Sequence, residues 1–200
     1  MIPGTRFVIL SISLLAAVTV LASADDKPFQ VGPASGYAHQ SSNQVTVGAK
    51  PYDNEELTAE AFGKKTDLLK YGVLPVLVVI ENKRQKALDL RDIEVSLVAA
   101  DGRHAEPVNP EDIPFLGSHA KRPTVKPYPP IPLPKKKNPL NTPEIAMRAF
   151  AAKIVPPGDS ASGFFYFEAR PEAGDKLYLN GVRDARTQEE IIYFEFPLDR

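Results

Sequence analysis

The side chains of this chain that could carry chemistry are few and widely spaced. Glu168 and Glu195 end a repeated Tyr-Phe-Glu tripeptide, at 166–168 and 193–195, and two carboxyls at a controlled separation are what glycoside hydrolysis requires. Such chemistry also needs a cleft that raises one carboxyl pKa, and an outward sheet face beside tyrosines supplies none. His39, His104 and His119 are scattered, without the HxH or HExxH spacing of a zinc site. Ser160-Ala161-Ser162-Gly163 resembles a nucleophile loop only in its small residues. It has no histidine nearby in sequence and reads as a turn. No GxSxG elbow, phosphate-binding loop or GxGxxG occurs. With Cys 0, a disulfide framework, a thiolate zinc site and a cysteine nucleophile are excluded. The expectation is a protein that is not an enzyme, with no catalytic residue, metal ligand or cofactor.

Binding chemistry is better represented. Residues 107–143 hold 11 of the 20 prolines, and residues 121–143 carry six basic side chains and no acidic one. Those bases are Lys121, Arg122, Lys126, Lys135, Lys136 and Lys137. Proline fixes φ and removes the amide donor, so this stretch cannot join a sheet centrally and is expected to run as a polyproline II arm. It reads as a solvated spacer or as an electrostatic contact for an anionic envelope polymer or lipid head groups. Lys126, Pro129 and Pro132 also fit the spacing that enters an SH3 groove. Tyr166 and Tyr193, flanked by the two glutamates, form a second candidate surface, for a protein or glycan. Its bland counterpart is an outer sheet face covered by a helix.

The elements that must position these residues follow from periodicity. Arg6, an apolar run over 7–21 and Ala22-Ser23-Ala24 give the layout of a secretory signal peptide cleaved near Ala24. That run is shorter than the roughly 20 residues a membrane span needs, so no stable span is expected after cleavage. The protein is then exported, to the periplasm or beyond. Removing 1–24 takes away Arg6 alone among charges and leaves 23 basic and 25 acidic residues, too balanced for global attraction to nucleic acid. Residues 25–42 read as a flexible leader, and 43–200 as one domain with the insertion at 107–143.

Within the domain, Val45 and Val47 mark a first short strand. Residues 53–63 mark a helix, with Asp53 as cap, Glu56 completing a capping box, Leu57, Ala61 and Phe62 inward, and Gly63 at its end. VLPVLVVIEN is apolar on both faces, as an interior strand is, with Pro75 tolerated only near its start or on an unpaired side. IEVSLVA runs into Asp101-Gly102, a hairpin signal. Phe150, Ala152 and Ile154 alternate towards a Pro156-Pro157-Gly158-Asp159 turn, and a helical turn is weakly signalled at 143–147. In the two aromatic strands Phe165 and Phe167 face the way Phe194 and Phe196 do, lining one core, with Tyr166, Glu168, Tyr193 and Glu195 outward.

Seven or eight short strands and one early helix specify an all-β protein, an antiparallel sandwich. The order of YGVLPVLVVIEN, the IEVSLVAADGR hairpin, IVPPGDSASGFFYFE and a final YFEFPL strand resembles the immunoglobulin-like domains of exported bacterial proteins of uncharacterised function. In those domains an apolar strand ends in Asn, here Glu81-Asn82. A Pro-Gly turn, here Pro157-Gly158, then precedes an aromatic strand, here 164–167. The resemblance implies an Ig-like sandwich fold and an exported location, and it transfers no catalytic residue to this chain. Lacking Cys and Trp, the chain departs from the antibody pattern of a disulfide on a tryptophan. The expected role is a binding or accessory module of the cell envelope, with an envelope protein or anionic polymer as partner. The alternatives are an envelope glycan hydrolase using Glu168 and Glu195, or a structural subunit assembled through an edge strand.

Overall fold

The structure, a computed structural model, describes residues 29–116, 138–191 and 193–198. The expected signal peptide, the start of the leader and all six candidate basic residues, Lys121, Arg122, Lys126, Lys135, Lys136 and Lys137, lie outside the described residues. So does His119.

The described chain is mostly antiparallel β-sheet with few helices. Its strands are β1 (Ala38–Ser42), β2 (Val45–Pro51), β3 (Val73–Asn82), β4 (Leu88–Asp89), β5 (Glu94–Val98), β6 (His104–Ala105), β7 (Ile154–Val155), β8 (Ser160–Glu168), β9 (Lys176–Asn180), β10 (Arg183–Asp184) and β11 (Phe194–Pro197). Two helices accompany them, α1 (Glu55–Phe62) and α2 (Pro143–Met147). Where seven or eight strands were expected, eleven appear among the described residues, four of them only two residues long. One sheet has the order β1-β2-β3-β8, a second β11-β9-β5-β6, and a small third β10-β4-β7.

The doubly apolar β3 lies between β2 and β8 and feeds two cores. Leu74, Val76, Val78 and Ile80 join Val45 and Val47 of β2, Phe167 of β8 and Val95, Leu97, Leu177, Leu179, Phe194 and Phe196 of the second sheet. Both four-stranded sheets therefore share one apolar core, and Phe165, Phe167, Phe194 and Phe196 meet there as their alternation predicts. The opposite face of β3, with Val73, Leu77 and Val79, packs with Phe164 and Tyr166 against Ala61 and Phe62 of α1 and Ile145 of α2. Pro75 is accommodated because its missing N–H faces β2 where that ladder has run out: the pairing ends at Pro51 opposite Val76. The Tyr52 amide then donates to the Pro75 carbonyl at 2.8 Å.

Several expectations are corrected. Residues 29–42 are not a free leader. Phe29 packs edge-on to Tyr52 and tilted against Phe164 under the Arg148 guanidinium, Ala34 is fully buried, and β1 pairs with β2 along its whole length. The α1 cap is Asn54 rather than Asp53: its Oδ1 accepts from the Leu57 amide at 2.9 Å. The Asp101-Gly102 turn has positive φ at Gly102 alone, 84°, so it is not the mirror-image two-residue turn. The strand expected from Phe150 is reduced to β7, and residues 148–150 instead lie along the edge of β8, where the Phe150 amide donates to the Phe164 carbonyl at 3.0 Å. Ser160 to Gly163 opens β8 and is not a turn.

Candidate binding cleft

Of the two tyrosines expected on one outer strip, only Tyr193 is exposed, at 62%. Tyr166 is 1% exposed and its hydroxyl donates to the Ile145 carbonyl at 2.7 Å. The reason is positional: α1 and α2 cover the outer face of β8, and burial pushes the Tyr166 phenol well above its ordinary value. Tyr166 is therefore a core residue, and the two rings do not share a surface.

The glutamates separate for a related reason. β8 and β11 belong to different sheets, so Glu168 and Glu195 do not stand on one face as the tripeptide repeat implied. Glu195 forms an ion pair with Lys176 at 2.8 Å on the neighbouring β9, and that hydrogen bond lowers its pKa. A general acid for glycoside cleavage needs the opposite shift.

The buried acids have structural partners. Asp184, 1% exposed, accepts from Arg84 at 2.8 Å and from the amides of Arg186 and Thr187 at 3.0 and 3.1 Å, with Lys86 at 3.6 Å. These amide bonds, with the two cations behind them, hold its pKa down at about 2. Asp89 is held below the ordinary carboxylate range by the Arg91 guanidinium and amide. Asp175 accepts the Ala100 and Glu172 amides at 3.3 and 2.9 Å. Among the described residues no group of three His, Asp or Glu side chains is placed to hold a metal ion. His39 and His104 sit exposed on β1 and β6.

The described recess lies at the base of the proline-rich insertion. Between the 3-10 turn Ile113–Phe115 and α2 is a cleft of about 550 Å³, walled by Pro110, Pro114, Phe115, Leu140, Pro143 and Ile145. Its shape follows from local sequence. Ile113, Leu140 and Ile145 anchor the two segments in the core beneath α1, and proline fixes the backbone between those anchors. Asn138 ties the segments together: its Nδ2 donates to the Pro114 carbonyl at 2.7 Å, and its Oδ1 accepts from the Leu140 amide at 3.0 Å. The expected arm thus leaves and rejoins the body on either side of one hydrogen bond. Glu111 is the one titratable side chain among the described lining residues, so the walls are suited to apolar and backbone contact.

Sequence reading missed this cleft because it treated 107–143 as one extended segment. The isolated apolar residues Ile113, Leu140 and Ile145 were the signal that both ends fold back.

No helix among the described residues is long and apolar enough to cross a membrane. No family model matches the chain, and no curated protein matches it. Among the solved structures similar to it are the following two. One is a Bacillus subtilis protein assigned as a lipoprotein (ycdA), 14% identical with a TM-score of 0.42; the match covers 82% of this chain and only 38% of the length of that one. The other is MPT63, a secreted protein from Mycobacterium tuberculosis, 14% identical with a TM-score of 0.35, over 82% of this chain and 95% of that one.

Proposed function

We propose that the protein is an exported, non-enzymatic module of the cell envelope with an Ig-like sandwich fold, and that it holds an anionic envelope polymer through its proline and lysine insertion. Export rests on the Arg6, apolar 7–21 and Ala22-Ser23-Ala24 layout of the N-terminus. The Ig-like reading rests on two antiparallel sheets sharing one core and on Asn82, whose side chain joins the end of β3 to the turn before β8.

The observation that carries the binding role is the tie between Asn138 and Pro114 at the cleft. It holds together the two flanks of a segment whose sequence contains six Lys or Arg and no Asp or Glu, and that concentration of like charge is what would attract an anionic polymer. Each cation near an anionic surface contributes about 1 kcal/mol. Replacing Lys135, Lys136 and Lys137 by Gln is therefore expected to weaken retention on an immobilised anionic polysaccharide by about 3 kcal/mol, roughly a hundredfold. Retention of the unaltered protein should fall as salt is raised, because exposed charges are screened over roughly 8 to 10 Å. Equal retention of variant and parent would reduce the insertion to a spacer.

A further inference from the structure

Each four-stranded sheet has two edges, and the described structure manages them unequally. The outer edge of β8 is covered: Phe164 exchanges hydrogen bonds with Arg148 and Phe150, and the Tyr166 carbonyl accepts from the Val108 amide at 2.7 Å. The outer edge of β11 is closed by one side chain. Gln40 Nε2 donates to the Glu195 carbonyl at 2.6 Å, and the Glu195 amide donates back to Gln40 Oε1 at 3.2 Å, so an amide side chain stands in for a neighbouring strand.

The outer edge of β1 has no such cover among the described residues. Its open groups can be named. Asn43 and Gln44 have φ of 48° and 63° between Ser42 and Val45, the two-residue mirror-image turn in which the flanking residues form a hydrogen-bonded pair. Pairing then alternates. Ser42 with Val45, Gln40 with Val47 and Ala38 with Ala49 exchange hydrogen bonds, whereas His39 and Ser41, opposite Gly48 and Thr46, turn their amides and carbonyls away from β2. The next ladder agrees, since the Lys83 amide donates to the Gln44 carbonyl at 2.9 Å, which places the even-numbered residues of β2 on the β3 side. No backbone hydrogen bond is formed by the outward groups of His39 or Ser41 among the described residues.

This edge also lacks the usual protection. β1 reads Ala-His-Gln-Ser-Ser, with no Lys, Glu, Asp or Pro, and four of its five residues are exposed. Protected edges carry charge, proline, a bulge or a covering loop. Gln40 points towards the second sheet and stays engaged there, so it does not obstruct approach along the edge.

We propose that β1 is a homophilic docking edge, at which two copies of this chain pair β1 to β1 antiparallel about a twofold axis through Gln40. That register sets His39 of one copy opposite Ser41 of the other, so each such pair exchanges two backbone hydrogen bonds and the dimer gains four. Sheets of four strands become one continuous sheet of eight. A second copy is the occupant the edge favours, because the strand is uncharged and its open groups form a palindromic pattern that is its own complement. The interface is short, so association is reversible and concentration dependent. It is independent of the charged insertion.

The test is sedimentation of the purified protein from about 10 μM to about 1 mM, the range a short interface calls for. The average mass is expected to rise towards twice the monomer. Amide exchange at the upper concentration should slow at His39 and Ser41 and remain unchanged at Gln40 and Ser42, which are already bonded within the chain. Ser41→Pro removes one outward backbone donor and Ser41→Lys sets a charge on the edge; each also gives up the Ser41–Thr46 hydroxyl hydrogen bond at 2.9 Å, so each should remain folded and monomeric with a slightly lower melting temperature in dilute solution. A monomer throughout the range overturns the proposal, as does a dimer whose His39 and Ser41 amides exchange at the monomer rate. Neither result bears on the polymer-binding reading.

Discussion

Asn82 ties the end of β3 to two other segments through its side chain. It is 1% exposed, and its Nδ2 serves the carbonyls of Lys86, Val155 and Pro156 at 2.8 to 3.0 Å while Oδ1 accepts the Arg84 amide at 3.1 Å. The Asn82 backbone adds the Asp159 carbonyl and the Gly158 amide, so the β3 terminus and the Pro157-Gly158 turn are held as one unit. Removing one partner leaves buried acceptors unmatched, at about 1 to 3 kcal/mol for each group. Asn82→Ala should therefore lower unfolding stability by about 2 to 4 kcal/mol in a denaturant titration, a size that marks buried network loss and not a surface change. Asp184 sets a pH limit at the same scale. Its folded pKa of about 2 lies below the ordinary 3.8, so its contribution is complete above about pH 4 and is lost as pH falls towards 2. The melting temperature of Asp184→Asn should consequently fall less than that of the parent between about pH 5 and pH 2. An equal fall in both would assign acid sensitivity to other carboxylates, Asp89 first.

At the level of elements, close approach of backbones decides what can cover what. Segment 148–150 lies against β8 because Gly163 has no side chain: a Cβ there would come 2.6 Å from the Phe150 nitrogen and nearer still to its Cα. Backbone on that side cannot yield as a flexible side chain would. Gly163→Ala should destabilise by about 1 to 3 kcal/mol through displacement of this segment, and amide exchange at Phe150 and Phe164 should accelerate more than at β9. Gly48 does the same for the 3-10 turn Ala34–Gly36, whose Ala34 carbonyl occupies the place of a Cβ. Legibility in sequence followed how local the cause was. The interior character of β3, the helix over 55–62 and the common core of the four phenylalanines were written in period and composition. β1 was not, because its turn uses Asn43-Gln44 instead of Asn-Gly and its residues after Ala38 are all polar. The bonding of 148–150 to β8 was also hidden, since Gly163 reads equally well as a turn residue until its neighbour is known.

In the whole molecule, three layers account for the distribution of aromatic and charged residues. Helices and turns cover one face of the first sheet, and the second sheet covers the other. The insertion grows from the helical side, where Ile113, Leu140 and Ile145 root both its ends. Because these roots are apolar side chains and none of them is one of the lysines, the triple Lys135, Lys136, Lys137→Gln variant should melt as the parent does while losing retention on the anionic polysaccharide. A fall in melting temperature would mean that the charges act on folding and not on a ligand. Sequence alone determined the length and balance of charge, the absence of cysteine chemistry, the all-β class, the export signal as an expectation, and the concentration of prolines and bases in one segment. These depend on composition and on neighbours within a few residues. Only the tertiary structure decided that Tyr166 is buried while Tyr193 is not, that Glu168 and Glu195 belong to different sheets, and that the cleft forms where 110–115 meets 138–146. Strand alternation says which residues share a face, but which sheet a strand joins and what covers its face depend on contacts between residues distant in sequence. The open edge of β1 is a fact of the same kind: a polar five-residue stretch becomes a docking surface only after β2 has paired with one side of it and nothing described has paired with the other.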